Sequence, residues 1–422
     1  MNLQSTAQSK ASNWVVRLAF LINIISLGGF MMVVPLGPDL VKSIQFNPAN
    51  IGYLIGGAMF GSAVLTWVLA DHLDKYDRKS VLVVFLLLRG ICLITCGFAS
   101  TPLMLILLFT LSGSFTGPAS SVLMAAVIDV TPPPKRGRVM AFIGSAFSIA
   151  AILMVPLSLL VSLYFSWQIN FWIFGGLGIV LAIVCWLVFP SMTDHIQSAH
   201  QSKNTAVKLL LGQSRVRIAL LVVAIQILAH FLIISNFSAY FQFNLSFPRE
   251  YMSALYFGGG IASLIVLQFS GKLFDKGIRH QLHLVSALLL ALSLYLIFIL
   301  TPDVNALFIL FALMMAVSTV RMSATTSIVS HIPSPPQRAA FMSINNSVSN
   351  LASGTAGFLS AGILTTTSDS HIIGMDWVAM LSIILTIAAP LILWRWVNYN
   401  TLIEDNAIRE NSAMHSSPPV KT

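Results

Sequence analysis

Charged side chains are scarce in this chain of 422 residues, where aspartate, glutamate, lysine and arginine together make up 9%. An ordinary soluble domain carries roughly 25%. Hydrophobic residues make up 56% of the chain, and the mean hydropathy is +0.85. A soluble fold of this length could not bury so much apolar surface. The composition therefore excludes a soluble domain and predicts a protein that crosses a membrane many times.

Cysteine is also rare, and nothing resembles a catalytic or metal-binding constellation. The three cysteines, Cys92, Cys96 and Cys185, all lie within apolar segments, which favours packing roles over disulfides or metal ligands. No histidine–cysteine cluster has the spacing of a metal site, and no pairing of a nucleophile with a base can be defended. We therefore predict no enzymatic activity, no metal and no cofactor.

The formal net charge of +9 and the pI near 9.6 do not indicate nucleic-acid binding. The basic residues lie in short loops between apolar segments and do not cluster on one segment. Of the 23 lysines and arginines, all but Lys42, Arg249, Arg89 and Arg321 lie on one predicted side of the membrane. By the positive-inside rule that side is the cytoplasm, so both termini are predicted to be cytoplasmic. The expected partner is the lipid bilayer.

Apolar segments long enough to cross a bilayer recur along the whole chain. We predict twelve spans, at 14–38, 50–69, 81–99, 103–128, 139–165, 169–190, 216–243, 251–271, 282–300, 305–330, 339–366 and 377–397. The first is too long for the apolar core of a cleavable signal peptide, so we expect it to be retained.

A polar, basic segment separates the sixth span from the seventh and divides the chain. The predicted organisation is a cytoplasmic N-terminus (1–13), a six-helix half (14–190), a cytoplasmic linker (191–215), a second six-helix half (216–397) and a cytoplasmic tail (398–422).

Two short charged loops stand at equivalent places in the two halves. The first, between the second and third spans, carries Asp74, Lys75, Arg78 and Lys79. The second, between the eighth and ninth spans, carries Gly271, Asp275, Lys276, Gly277 and Arg279. Each half also closes its fourth span with a proline pair and an arginine, Arg136 in the first half and Arg338 in the second.

Both loops resemble the loop between the second and third helices of the major facilitator superfamily, Gly-x-x-x-Asp-Arg-x-Gly-Arg-Arg. In the first loop, Ala70 replaces the leading glycine of the motif and Asp77 replaces the inner one. In the second loop the inner glycine comes one place early, at Gly277. The resemblance implies an all-α membrane protein of twelve transmembrane helices in two six-helix repeats, with the substrate site between the repeats.

The resemblance also implies alternating access, with the charged loops as gating latches. The residues to which it gives this role are Asp74, Lys75, Arg78, Lys79, Asp129, Arg136, Gly271, Asp275 and Arg279. The end of the first span, from Val34 to Leu40, is similar to the first helix of bacterial efflux members, and the segment from Phe341 to Gly354 is similar to the eleventh helix of predicted sugar-efflux permeases.

Two signatures of proton-coupled antiporters are degraded. The fourth span of such proteins usually carries an arginine four residues before a glycine, but Phe109 holds that position before Gly113. The fifth span keeps Pro156 and lacks the glycine-rich run that usually precedes the proline.

Ionisable residues inside a membrane span are costly, roughly 2.5–3.5 kcal/mol at the centre on insertion scales, so they are candidates for function. Arg89, His230 and Arg321 lie within predicted spans, whereas no carboxylate lies at the centre of one. This imbalance favours an anionic ligand, because a guanidinium binds an anion through paired hydrogen bonds. For each of the three, a structural role within the bundle is the alternative.

His230 is a candidate for the coupling proton, since imidazole titrates near neutral pH. Other polar residues on spans that face the cavity of this superfamily are candidates for hydrogen bonds to a solute, with helix–helix contacts as the alternative. The full predicted substrate-binding set is Arg321, His230, Asn23, Gln226, Asn236, Tyr240 and Arg89.

We predict a monomeric secondary transporter in a bacterial inner membrane. Its substrate is expected to be a small polar and, on charge grounds, anionic compound, exported at the expense of the proton gradient. The alternatives are a multidrug efflux antiporter and an importer of the same fold, for example for a siderophore or organic acid. A membrane sensor would be expected to carry a sizeable soluble domain, which the chain lacks.

Overall fold

The computed structural model describes residues 2–73, 75–132, 135–193, 209–275, 278–330, 332–333 and 337–415. The helices of the first half are α1 Asn2–Met31, α2 Gly37–Ile44, α3 Ile51–Leu73, α4 Arg78–Cys96, α5 Pro102–Val130, α6 Arg136–Gly144, α7 Ala146–Ile149, α8 Val155–Tyr164 and α9 Trp167–Val188. A 3₁₀ turn, Pro48–Asn50, precedes α3, and a π-helical turn, Ala150–Met154, joins α7 to α8.

The second half repeats this plan. Its elements are α10 Ser214–Ile234, α11 Phe237–Phe243, α12 Arg249–Asp275, α13 Arg279–Phe298, α14 Val304–Val329, α15 Arg338–Ile363, β1 Thr365–Thr366, β2 Ile372–Ile373 and α16 Met375–His415. The two strands pair antiparallel as a short hairpin. The predicted seventh span is divided between α10 and α11, and α16 continues beyond the predicted end of the twelfth span at residue 397.

Ten helices among the described residues are long and apolar enough to cross a membrane. The fifth and eleventh predicted spans are the two outside this number. A π-helical turn interrupts the fifth and leaves a shorter apolar helix, Ala150–Tyr164. The eleventh, α15, has 26 residues but is rich in serine and asparagine, which lowers its hydropathy. Helical structure is present in each of the twelve predicted spans. That all twelve of them cross the membrane stays a prediction.

Side chains next to the helix starts fix where several spans begin. The Thr101 hydroxyl accepts a hydrogen bond from the backbone N–H of Met104, and Pro102 occupies the first turn of α5. The Asp303 carboxylate accepts from the N–H of Ala306 at the start of α14. These contacts satisfy backbone donors that the helix itself leaves free. Helices are required here because lipid offers the backbone no hydrogen-bond partners.

The two halves contact each other mainly through two helix pairs. The helix α3 of the first half packs against α15 of the second, and α8 of the first packs against α12 of the second. The helices α3 and α12 are the second spans of their halves, whereas α8 and α15 belong to the fifth spans. Each half therefore presents equivalent helices to the other, so the interface has an approximate two-fold relation.

Large apolar side chains cover much of the outer surface of the bundle. Trp67 is 80% exposed and Leu187 is 73% exposed. A water-soluble protein rarely exposes apolar surface on this scale. This surface fits contact with lipid chains.

Candidate transport route and its gates

An ion pair joins the two halves at one end of the bundle. We call this end, which carries α2 and the β1–β2 hairpin, the hairpin end. The Arg249 Nη2 atom donates to Asp39 Oδ2 at 2.6 Å. The Ser162 hydroxyl donates to the same carboxylate oxygen at 2.8 Å. The side chains of Arg249 and Asp39 are 18% and 17% exposed, so water screens the pair weakly.

The environment of Asp39 changes its proton affinity. Burial raises the pKa of the Asp39 carboxyl above its ordinary value, whereas Arg249, Ser162 and Lys42 act in the opposite direction. Arg249 is the strongest of the groups that keep this carboxyl charged. Removing Arg249 would therefore leave a poorly solvated carboxylate without its counter-charge.

Further contacts close the hairpin end around this ion pair. Thr366, in the hairpin, donates to Asn47 Oδ1 at 2.6 Å. Its hydroxyl also accepts from the backbone N–H of Ala49 at 3.3 Å. Both partners lie in the first half, just before α3. The hairpin thus connects the second half to the start of the second span.

Backbone-to-backbone contact of α3 and α15 also closes the hairpin end. A Cβ atom added to Gly357 would lie 2.5 Å from the carbonyl oxygen of Gly52 and 2.7 Å from the Cα of Gly56. One added to Gly354 would lie 2.9 Å from the backbone nitrogen of Phe60. Only glycine allows this approach of the two helices, as in other membrane helix pairs packed through small residues.

The opposite end, which carries the charged loop next to α4 and the ends of α5 and α9, is called the charged-loop end here. The Arg78 Nε atom lies 3.0 Å from Asp129 Oδ2, so the ion pair connects the start of α4 to the end of α5. Arg136 Nε donates to Thr131 O at 3.1 Å. In the second half, Arg279 Nε donates to Phe274 O at 3.2 Å.

Several predicted gating residues therefore lie at this end, and Arg78 and Asp129 are in direct contact. Lys79 lies over the Trp186 ring, with Nζ 5.6 Å from the centroid, and Lys75 is exposed in the turn before α4. Gly271 lies near the end of α12. Asp74 is outside the described residues, as is the side chain of Asp275. The gating role of all these residues stays a prediction.

Asp77, which departs from the glycine of the motif, has a structural role that sequence reasoning missed. Its carboxylate caps α4 by accepting from the backbone N–H of Lys79 at 3.3 Å. It also accepts from the N–H of Met192, just after α9, at 2.7 Å. Partial burial raises the pKa of Asp77, but these donors outweigh it and hold that pKa below its ordinary value. An aspartate directly before a helix start was the available signal.

Within the second half, a buried polar cluster connects α10, α13 and α14. Gln226 Oε1 accepts from the Thr325 hydroxyl, and it lies 3.3 Å from His283 Nε2. Arg321 Nη2 donates to the backbone oxygen of Gln226 at 3.4 Å. His283 and Thr325 were missed from the sequence, where their only signal was polarity inside predicted spans.

The other predicted binding residues on α10 and α11 make separate contacts. His230 Nδ1 lies 3.1 Å from the Ser318 hydroxyl of α14. Asn236 donates to the Ser360 hydroxyl of α15 at 2.6 Å. Tyr240 packs against Phe298, with ring centroids 5.4 Å apart. His230 and Arg321 of the cluster line the same cavity.

Arg89 and Asn23 lie in the first half, away from that cluster. Arg89 is 4% exposed and donates to the backbone oxygen of Ser26 at 2.7 Å and to its hydroxyl at 3.2 Å. These bonds connect α4 to α1, as the structural alternative for Arg89 requires. Asn23 is half-buried on α1. Contact of either residue with a solute stays a prediction.

The Gln226 cluster gives a first stability prediction. Gln226→Leu removes the contacts of the Gln226 side-chain oxygen with the Thr325 hydroxyl and with His283, each worth about 0.5–1.5 kcal/mol, whereas Thr325 and His283 keep their 3.0 Å contact with each other. We expect the unfolding temperature of the protein in detergent to fall by several degrees. The matched control is Gln281→Leu, because Gln281 is exposed at the start of α13. Equal unfolding temperatures for the two variants would contradict this role of the cluster.

Comparison with known proteins identifies the family. The model of the Major Facilitator Superfamily matches residues 19–302 and 219–419, which together span most of the chain. The chain belongs to this superfamily, whose members are membrane transporters and not enzymes. The predicted fold class is thereby confirmed.

Individual relatives are distant. The benzoate transport protein of Acinetobacter baylyi is 27% identical over 180 residues, which cover 41% of this chain and 38% of that protein. A probable sugar efflux transporter of Helicobacter pylori is 22% identical over 242 residues, covering 57% of this chain and 61% of that protein. The matches thus span less than two thirds of each relative's length.

Solved structures reproduce the fold over almost the whole chain. A bacterial homolog of the human lysosomal transporter Spinster, in an inward-facing and occupied conformation, matches with a TM-score of 0.69 at 15% identity. The match covers 90% of this chain and 96% of that one. At this identity the likeness establishes the fold alone.

Proposed function

We propose that this protein is a secondary active transporter that exports a small polar, anionic solute by alternating access, coupled to the proton gradient. The observation that carries the proposal is the closure of the hairpin end by contacts between the two halves. The ion pair of Asp39 with Arg249 spans the halves at this end, and the glycine contacts of α3 with α15 lie beside it. Breaking both by a rocking motion would open a route between the halves.

The orientation follows from the charge distribution. The charged-loop end carries the excess of lysine and arginine and faces the cytoplasm. The hairpin end then faces outward, and the closed hairpin end corresponds to an inward-facing conformation. The expected location is the inner membrane of a bacterium, and the expected active unit is a monomer.

The anionic substrate class rests on buried positive charge. Arg321 has no carboxylate partner among the described residues. No aspartate or glutamate lies at the centre of a span in the part of the chain that the structure describes. The benzoate carrier among the relatives transports an organic anion, and benzoate is therefore the probe of choice for this class. The sugar efflux relative supports export as the direction. His230, beside Ser318, is the proposed carrier of the coupling proton.

Transport by inverted membrane vesicles tests the proposal. Vesicles that contain the protein are given a proton gradient, and the accumulation of benzoate, a neutral sugar and a lipophilic cation is compared. We expect benzoate to accumulate, and Arg321→Gln to reduce its accumulation at least tenfold. Arg217→Gln is the matched control, because Arg217 is exposed at the start of α10. Accumulation of the cation alone, unaffected by Arg321→Gln, would overturn the proposal in favour of a multidrug antiporter.

A further inference from the structure

The side chain of Arg321 is the largest fully buried side chain in the described part of the protein, and it carries a charge without a compensating acid. Among the described residues its guanidinium makes one hydrogen bond, the 3.4 Å contact of Nη2 with the backbone oxygen of Gln226. Its Nε and Nη1 atoms are buried and have no hydrogen-bond partner in that part of the chain. Arginine cannot shed its charge by deprotonation in a protein. A buried charge in this state is strongly unfavourable unless an anion accompanies it.

A small cavity lies beside this guanidinium, inside the second half. The described residues that line it all belong to α10, α13, α14 and α16, which are helices of the second half. The cavity has a volume of about 20 Å³, whereas one water molecule needs roughly 10–15 Å³. The cavity therefore has room for one small ion or for a single carboxylate group, and it does not enclose a whole sugar or aromatic ring.

A second donor without a partner lines the same cavity. Thr386, on α16, is 1% exposed, and its hydroxyl makes no hydrogen bond among the described residues. The Ser382 hydroxyl, one turn earlier, is already occupied because it donates to the backbone oxygen of Ala229 at 2.7 Å. Arg321 and Thr386 thus supply N–H and O–H donors from two helices, whereas Leu290, Leu294 and Met314 supply apolar walls.

We propose that this cavity is a binding site for one small monovalent anion of the size of chloride, held by the Arg321 guanidinium and the Thr386 hydroxyl. One guanidinium balances one negative charge, and charged hydrogen bonds are stronger than neutral ones. A divalent anion would leave net negative charge in an apolar interior. The described lining residues of the site all belong to the second half, so its occupancy stabilises that half.

Halide-dependent stability of the purified full-length protein tests the site. The unfolding temperature is measured at constant ionic strength while sodium gluconate is replaced by sodium chloride or sodium bromide. Gluconate serves as the reference anion, because its hydroxyl-rich chain would have to lose water against the apolar walls of the cavity. A ligand that binds only the folded state raises the unfolding temperature with its concentration. We expect a saturable rise of several degrees with chloride and with bromide.

Variants separate this site from general salt effects. Thr386→Val keeps the volume and removes the hydroxyl, so we expect the half-saturating chloride concentration to rise roughly tenfold or more. Arg321→Met is expected to abolish the chloride dependence. Thr355→Val is the matched control, because Thr355 is exposed on α15, and its chloride dependence should equal that of the wild type.

The source of the anion is distinguished by competition. If benzoate leaves chloride binding unchanged, the anion is a free halide and the site is separate from the transported solute. If benzoate displaces chloride at one equivalent, the carboxylate of the solute supplies the anion at the same donors. An unfolding temperature that is the same in chloride and in gluconate would overturn the proposal, whatever the vesicle experiment gives.

Discussion

Replacing Arg249 with glutamine should open the hairpin end. The substitution leaves the Asp39 carboxylate 17% exposed and without its cationic partner. Removing one partner of a partly buried pair costs about 2 kcal/mol or more. This penalty applies to the closed arrangement only, because separation of the halves exposes Asp39 to water. We therefore expect the ratio of open to closed molecules to rise roughly 30-fold.

Distances between spin labels at the hairpin end measure this change. Ser43, near the end of α2, and Ser368, in the hairpin loop, are both exposed and lie in different halves. In a background without Cys92, Cys96 and Cys185, labels at these positions should give one short distance in the wild type. A second, longer distance should dominate in Arg249→Gln.

Two controls make the Arg249 prediction specific. Acidification should restore the short distance in Arg249→Gln, since burial raises the pKa of Asp39 and a protonated carboxyl carries no unpaired charge. The exchanged pair, Asp39→Arg with Arg249→Asp, should also restore it. A short distance that persists in Arg249→Gln near neutral pH would contradict the role of the ion pair.

Replacing Gly357 with leucine should hold the halves apart at the same end. Even the Cβ atom of the new side chain would lie 2.5 Å from the carbonyl oxygen of Gly52, closer than van der Waals contact allows. Backbone atoms cannot yield as a flexible side chain can, so the closed state loses about 1–3 kcal/mol or more. We expect solute transport to fall at least tenfold, with the long distance between the labels at Ser43 and Ser368.

The same helix offers a matched control for Gly357. No atom of another described element lies within 4 Å of a Cβ atom added to Gly362, five residues further along α15. Gly362→Leu should therefore transport as the wild type does. If both leucine variants transport equally well, close contact of α3 with α15 is not required for the cycle.

Much of the fold could be predicted from the sequence because lipid imposes simple constraints. Long apolar segments and the duplicated charged loops predicted the helical membrane fold and its two halves. The positions at which two predicted spans are interrupted were not predictable. The π-helical turn at Ala150–Met154 and the break between α10 and α11 at Asn236 depend on packing between helices. The serine-rich α15 shows the same limit, because its place in the fold is set by its contact with α3 and not by its hydropathy.

The sequence indicated several of the candidate functional residues, but not which of them contact one another. Arg321 and Gln226 were singled out because polar groups are costly inside a span, but their direct contact required the fold. The pair of Asp39 and Arg249 was missed, since its members lie 210 positions apart in the chain. Two charges at span ends on the same predicted side were the only signal, and sequence alone does not indicate which of them meet.

The most direct test of alternating access measures both ends of the protein together. Labels at Tyr76 and Gln281, both exposed near the charged-loop end and in different halves, complement the labels at Ser43 and Ser368. In Arg249→Gln, we expect the distance at the hairpin end to lengthen and the distance at the charged-loop end to shorten. A hairpin end that opens while the charged-loop distance stays the same or lengthens would contradict alternating access.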